Sequence, residues 1–201
     1  MRALYITHPQ VAVDPAVLVP QWGLSALGRQ RAEAFAARQT VPAGARIFSS
    51  TETKAMELAE LIAAVSGSPI YSIGTMGEND RSATGFLPPA LFEATADRFF
   101  AEPHASIDGW EPAIDAQTRI VAAVTQALDG VPSSTPVVFC GHGAVGSLLK
   151  CYIAGRPIDR REDQSRHGNP GGGNCFSFDL TPPRLGCEWS PMETLSPAWF
   201  G

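Results

Sequence analysis

Short apolar runs along this chain alternate with longer stretches in which apolar residues recur every three or four positions. Ala3, Leu4, Tyr5 and Ile6 lead into Thr7 and His8, and Pro9 stops the run. Proline has no N–H for a ladder, so the pattern predicts a buried strand ending at His8. Further strands are predicted at 46–49, 69–73, 137–140 and 174–180. Val137, Val138, Phe139 and Cys140 form an unbroken apolar run, as a strand covered on both faces does. In 174–180, Cys175, Ser177 and Asp179 alternate with Phe176 and Phe178, the period of a half-buried strand.

Helices are predicted between these strands. Ser25 is a good N-cap for 26–39, which is rich in Ala, Arg and Glu. The hydroxyls of Ser49, Ser50, Thr51 and Thr53 are natural caps for the next helix. There Leu58, Leu61, Ile62 and Val65 fall at i, i+3, i+4 and i+7 on one face. Segments 89–100, 110–128 and 144–154 also read as helical. Loops are expected at 11–21, 74–89, 101–109 and 155–173, and an irregular proline-rich tail from Thr181. Strands alternating with helices give an α/β class, a mostly parallel central sheet with helices on both faces. One domain is expected over 1–201, with a cap-like insertion at about 74–109.

Composition narrows this picture. The chain has 201 residues, 44% of them hydrophobic and 17% charged, with a net charge of −5. That argues against a general polyanion-binding surface, and hence against a nucleic-acid partner. No apolar run approaches a membrane span, and the N-terminus lacks a signal-peptide pattern. The four cysteines carry no C-x-x-C spacing, so no metal site or disulfide framework is implied. A reducing cytoplasm is the expected setting.

Two histidines each end an apolar strand, His8 and His142. In a parallel sheet both strand ends point to one crevice, where ligands of open α/β sheets bind. The strand at 46–49 brings a helix start carrying Lys54 to the same edge, and a cation in a first turn makes sense when an anion visits. The loop at 74–89 offers Glu78 and Arg81. Two imidazoles, an ammonium and a carboxylic acid beside helix N-termini suit phosphoryl transfer to histidine. Phe86, Leu87, Phe92 and Trp110 are candidate apolar contacts for a substrate. His104 and His167 lie in polar or proline-containing loops and read as surface residues.

Several segments together resemble the histidine phosphatase superfamily, the phosphoglycerate mutase-like proteins. Thr7-His8-Pro9 stands where that family has Arg-His-Gly. Leu24-Ser25-Ala26-Leu27-Gly28-Arg29 is similar to its first helix start. Ser49-Ser50-Thr51-Glu52-Thr53-Lys54-Ala55 resembles its Ser-Ser-x-x-x-Arg-Ala segment, Glu78 its acid-bearing loop, and Gly141-His142-Gly143-Ala144 its Ser-His-Gly-Gly. The resemblance implies a three-layer sandwich and a phosphatase with no metal or organic cofactor. His8 would carry the phosphoryl group, His142 would bind the phosphoryl oxygens, and Glu78 would protonate the leaving oxygen and then activate water. Thr7, Lys54 and Arg81 would face the phosphate. The partner would be a small phosphorylated molecule, with hydrolysis favoured over mutase chemistry.

The departures bear on activity. Thr7 and Lys54 replace two arginines, and a guanidinium grips phosphate with a fork that neither supplies. Each loss would lower the rate by a factor of about 10 to 10². The alternative is therefore a weak or inactive relative that binds anionic ligands, or a protein, through the same pocket. Gly141-His142-Gly143-Ala144-Val145-Gly146 fits a dinucleotide fingerprint, but no strand ending in an acid follows about 20 residues on. Cys140 as nucleophile lacks the arginine that a Cys-x₅-Arg phosphatase needs.

Overall fold

The computed structural model describes residues 2–200. A single sheet runs through it, formed by β1 (Arg2–Thr7), β2 (Arg46–Ser49), β3 (Ile70–Ser72), β4 (Val137–Gly141), β5 (Asn174–Leu180), β6 (Pro183–Leu185) and β7 (Ser190–Pro191). The order is β3-β2-β4-β1-β5-β6, with β7 also paired to β5. The first four strands are mutually parallel, and β5 to β7 add antiparallel pairs. The expected α/β sandwich is therefore present, mixed at one side.

Strand alternation divides the core. Tyr5, Phe139, Phe176 and Phe178 point to one face of the sheet, under α3 (Pro89–Ala101), α4 (Ala113–Leu128) and α5 (Gly143–Ala154). Leu4, Ile6, Val138 and Cys175 point to the other, under α1 (Ala26–Ala37) and α2 (Thr53–Ser66). Successive Cβ atoms leave a strand on opposite sides, so one β4 run feeds both layers. On the first face Tyr5 stacks on Phe176 at 5.4 Å between ring centroids.

Helix starts differ from expectation in two places. Ser25 caps α1, accepting the Gly28 N–H at 3.1 Å. The hydroxyls before α2 do not cap it: the residue before the helix is Glu52, which makes no side-chain cap bond. Pro112 delays α4 to Ala113 because proline suits a helix start and not the preceding turn. The region 155–173 holds a short α6 (Gln164–His167).

The tail is the larger correction. It contains β6 and β7, and Trp189, Met192, Leu195 and Trp199 are buried. Pro183 and Pro191 sit on these short sheet-edge segments, where a missing N–H is tolerated. Among the described residues no helix is long and apolar enough to cross a membrane, and no three His, Cys, Asp or Glu side chains are grouped to hold a metal ion.

Candidate active site

Register brings the two histidines together. Thr7 pairs with Gly141 across the parallel β1–β4 ladder, and the His8 N–H continues it to the Gly141 carbonyl at 3.0 Å. The next residue on each strand is a histidine. Their ring centroids are 5.3 Å apart, the planes inclined at 67°.

The His8 Nδ1 lies 2.9 Å from the Pro9 carbonyl oxygen. A carbonyl only accepts, so Nδ1 carries the ring proton and Nε2 keeps its lone pair. Burial, reinforced by the His142 ring, lowers the His8 pKa to about 3, so the imidazole is neutral near pH 7. His142 is completely buried. Its pKa is lowered to about 4, chiefly by burial and against the pull of Glu52. Its Nε2 is 2.6 Å from Ser50 Oγ, and its Nδ1 is buried with no hydrogen-bond partner among the described residues.

Tyr5 sets the backbone beneath that ring. Its hydroxyl accepts the His142 N–H at 3.0 Å and donates to the His142 carbonyl at 3.2 Å. A Cβ on Gly141 would lie 2.2 Å from this hydroxyl oxygen, so only glycine fits there. Gly143 is constrained likewise by Gln164. Two glycines of the apparent dinucleotide fingerprint are thus explained by side-chain packing. Moreover, the first turn of α5 is already occupied by a carboxylate: Glu78 accepts the Ala144 N–H at 3.2 Å and the Val145 N–H at 3.0 Å. An anion at a helix N-terminus is favourable, and this one stands where a pyrophosphate would sit. Cys140 is fully buried and burial pushes its thiol pKa far up, which leaves no nucleophilic thiolate.

The cations are more encumbered. Lys54, 3% exposed at its side chain, donates to Glu52 Oε2 at 2.5 Å and to the Val19 carbonyl at 2.9 Å, leaving one N–H uncommitted. Glu52 also accepts the Glu78 N–H at 2.7 Å and lies 3.5 Å from His142 Nε2. Burial alone would raise its pKa, but the His142 ring and the Lys54 ammonium prevail and hold it at about 2. Thr7 is fully buried, and its hydroxyl accepts the Asn174 N–H at 3.0 Å and donates to Gln164 Oε1 at 2.7 Å. A hydroxyl has one proton, so Thr7 has none left for a ligand. Arg81 lies over Phe92 at 5.0 Å and Trp110 at 5.9 Å, a cation–π seat that leaves its donors open.

His8, Lys54, Glu78, Arg81, Arg160 and Gln164 line one cavity of ≈ 200 Å³. Of these, Arg160 and Gln164 escaped the sequence reading, as did Glu52 close by. Arg160 pairs with Glu93 at 2.7 Å and Asp97 at 3.3 Å. Nothing near Gln164 in the chain marks it, because the segment is polar and lacks a period. Glu52 two residues before Lys54 was the one visible hint of a tied ammonium. An adjoining apolar hollow of ≈ 250 Å³ is lined by Trp22, Phe86, Leu87 and Phe92; Trp110 is buried, its indole N–H on Thr84 at 2.8 Å.

The family model of the histidine phosphatase superfamily, branch 1, matches residues 19–170. The chain belongs to that superfamily. No curated protein matches it in sequence. Among solved structures of this fold, it is similar to a mycobacterial glucosyl-3-phosphoglycerate phosphatase solved with inorganic phosphate, at 19% identity over 96% of this chain and 99% of that one, TM-score 0.76. Bacillus stearothermophilus YhfR is 20% identical over 92% of this chain and 93% of its own, TM-score 0.73. Thermus thermophilus TTHB049 is 18% identical over 94% and 99%, TM-score 0.63. At these identities the likeness is one of fold. The histidine phosphatase frame thus surrounds a cleft lined by the cations Lys54, Arg81 and Arg160.

Proposed function

We propose that this protein hydrolyses a small phosphomonoester through a phosphohistidine on His8. The observation that carries the reading is the His8 ring itself: its proton is anchored on the Pro9 carbonyl, so a neutral Nε2 lone pair faces the cleft beside a second buried imidazole. The Nε2 lone pair attacks phosphorus, and the ester oxygen departs with a proton from Glu78, which enters this step in its acid form. Water, deprotonated by Glu78, then attacks the phosphohistidine and releases phosphate and His8.

His142 serves as the oxyanion donor. Ser50 Oγ accepts the Glu52 N–H at 3.2 Å and lies 2.6 Å from His142 Nε2, within reach to give that nitrogen its own proton. With the ring proton on Nδ1, the buried nitrogen that has no hydrogen-bond partner among the described residues, a phosphoryl oxygen satisfies it. Arg81 and the remaining Lys54 N–H supply positive charge. The region 74–109 caps the cleft, and the hollow at Trp22, Phe86, Leu87 and Phe92 receives an apolar part of the alcohol.

One observation favours a second reading, a binding relative with little turnover: Glu52 neutralises Lys54, and Thr7 brings no charge. Release of p-nitrophenolate from p-nitrophenyl phosphate decides between them. The first reading expects turnover by the wild type and none by His8→Ala. A wild type that binds inorganic phosphate without turnover supports the second.

A further inference from the structure

Gln164 lies at the start of α6, close to His8 in the cleft, and its carboxamide is oriented by a chain of bonds that begins at a backbone N–H. The Asn169 N–H can only donate, and it meets Asn174 Oδ1 at 2.6 Å. That fixes the Asn174 amide, whose Nδ2 then donates to the Asn169 carbonyl at 2.8 Å and to Gln164 Oε1 at 2.9 Å. Thr7 donates to the same Oε1 at 2.7 Å, closer than its other acceptor, the Asn174 carbonyl at 3.3 Å. Asn174 and Thr7 are both fully buried, so two buried donors hold Oε1 and the amide cannot be reversed without setting donor against donor.

The other end of the amide is therefore Nε2. It accepts nothing, and among the described residues no acceptor lies in hydrogen-bond contact with it. It sits against the first residue of α5, where a Cβ on Gly143 would be 2.3 Å away. Glycine at 143 thus leaves room for an NH₂ group in the cavity lined by His8, Glu78 and Gly143 itself.

We propose that Gln164 is a phosphoryl-binding residue whose Nε2 donates to an oxygen of the ligand, and that Thr7 and Asn174 position it. This rests on the reading of the cleft as a phosphoryl site. A buried Thr7 where an arginine would stand then has a purpose: the charged fork is replaced by a neutral donor delivered from α6, 157 residues away in the chain. A neutral amide holds the oxyanion by direction and adds no charge. The ligand class is a tetrahedral phosphate monoester or inorganic phosphate.

Calorimetric titration of the full chain with inorganic phosphate tests this, with p-nitrophenyl phosphate kinetics alongside. Gln164→Leu is expected to weaken phosphate binding about 10- to 100-fold. Gln164→Glu is expected to weaken it further by like-charge repulsion. Thr7→Val, which keeps the shape and removes the hydroxyl, is expected to weaken it several-fold by freeing the amide. Near-UV circular dichroism checks the fold, and Gln164→Met carries the same test should Gln164→Leu not fold. A folded Gln164 variant that binds phosphate as the wild type does overturns the assignment, while loss of turnover in His8→Ala alone leaves the phosphatase reading standing. A wild type that neither binds phosphate nor turns over the ester overturns both.

Discussion

At the ends of β1 and β4, His8 Nε2 and His142 Nδ1 have no hydrogen-bond partner among the described residues. At the two positions where the family carries arginine, the Thr7 hydroxyl is fully engaged and the Lys54 ammonium is bound to a carboxylate and a carbonyl. The imidazoles are held in place by groups that leave their outer nitrogens free. The cationic side is instead largely satisfied by the protein. The contrast teaches that retention of a motif residue and availability of its donors are separate questions. A lysine beside a half-buried glutamate supplies much less field to a ligand than a lysine alone.

Removing an open nitrogen should do the most damage. His142→Ala is expected to lower kcat for p-nitrophenyl phosphate about 10²- to 10³-fold, with a circular dichroism spectrum like the wild type. Retained kcat would place phosphoryl stabilisation elsewhere. Next comes the scaffold beneath that ring. Gly141→Ala drives a Cβ to 2.2 Å from the Tyr5 hydroxyl oxygen and 2.7 Å from its ring. It is expected to destabilise the fold by about 1–3 kcal/mol, read as a lower urea midpoint.

Freeing the satisfied side is a smaller change of opposite sign. Glu52→Gln removes the carboxylate charge beside Lys54 and should tighten inorganic phosphate binding about five-fold; unchanged affinity would mean that Lys54 does not reach the ligand. A pH dependence of stability tests the buried imidazoles themselves. The folded pKa values of His8 and His142, about 3 and 4, lie below the ordinary imidazole value of about 6.5. The unfolded chain therefore binds more protons between pH 6.5 and about 4, and stability falls as pH drops through that window. Glu52, held at about 2, extends the loss below its ordinary range. Urea midpoints measured from pH 7 to 4 should decline for the wild type and decline less for His8→Gln.

The fold was legible from local periods because burial imposes them. Tyr5 and Phe139 on one face, and Leu4 and Val138 on the other, follow from alternation within single strands. The meeting of His8 and His142 also follows once the two strands are parallel neighbours, because each histidine is the residue after its strand. The C-terminal segment was misread for a related reason. Its prolines mask edge pairing, and Trp189, Met192, Leu195 and Trp199 bury themselves without a regular period.

What the amino-acid order determined by itself is thus the α/β frame, the superfamily and the pair of histidines at one sheet edge. Tertiary structure alone decided that Thr7 serves Gln164 rather than the cleft, that Glu52 ties Lys54, and that Glu78 caps α5. The reason is range. Periodicity and turn chemistry act over a few residues, whereas a hydroxyl or an ammonium takes whichever partner the folded chain brings within 3 Å. For Thr7 that partner lies 157 residues away.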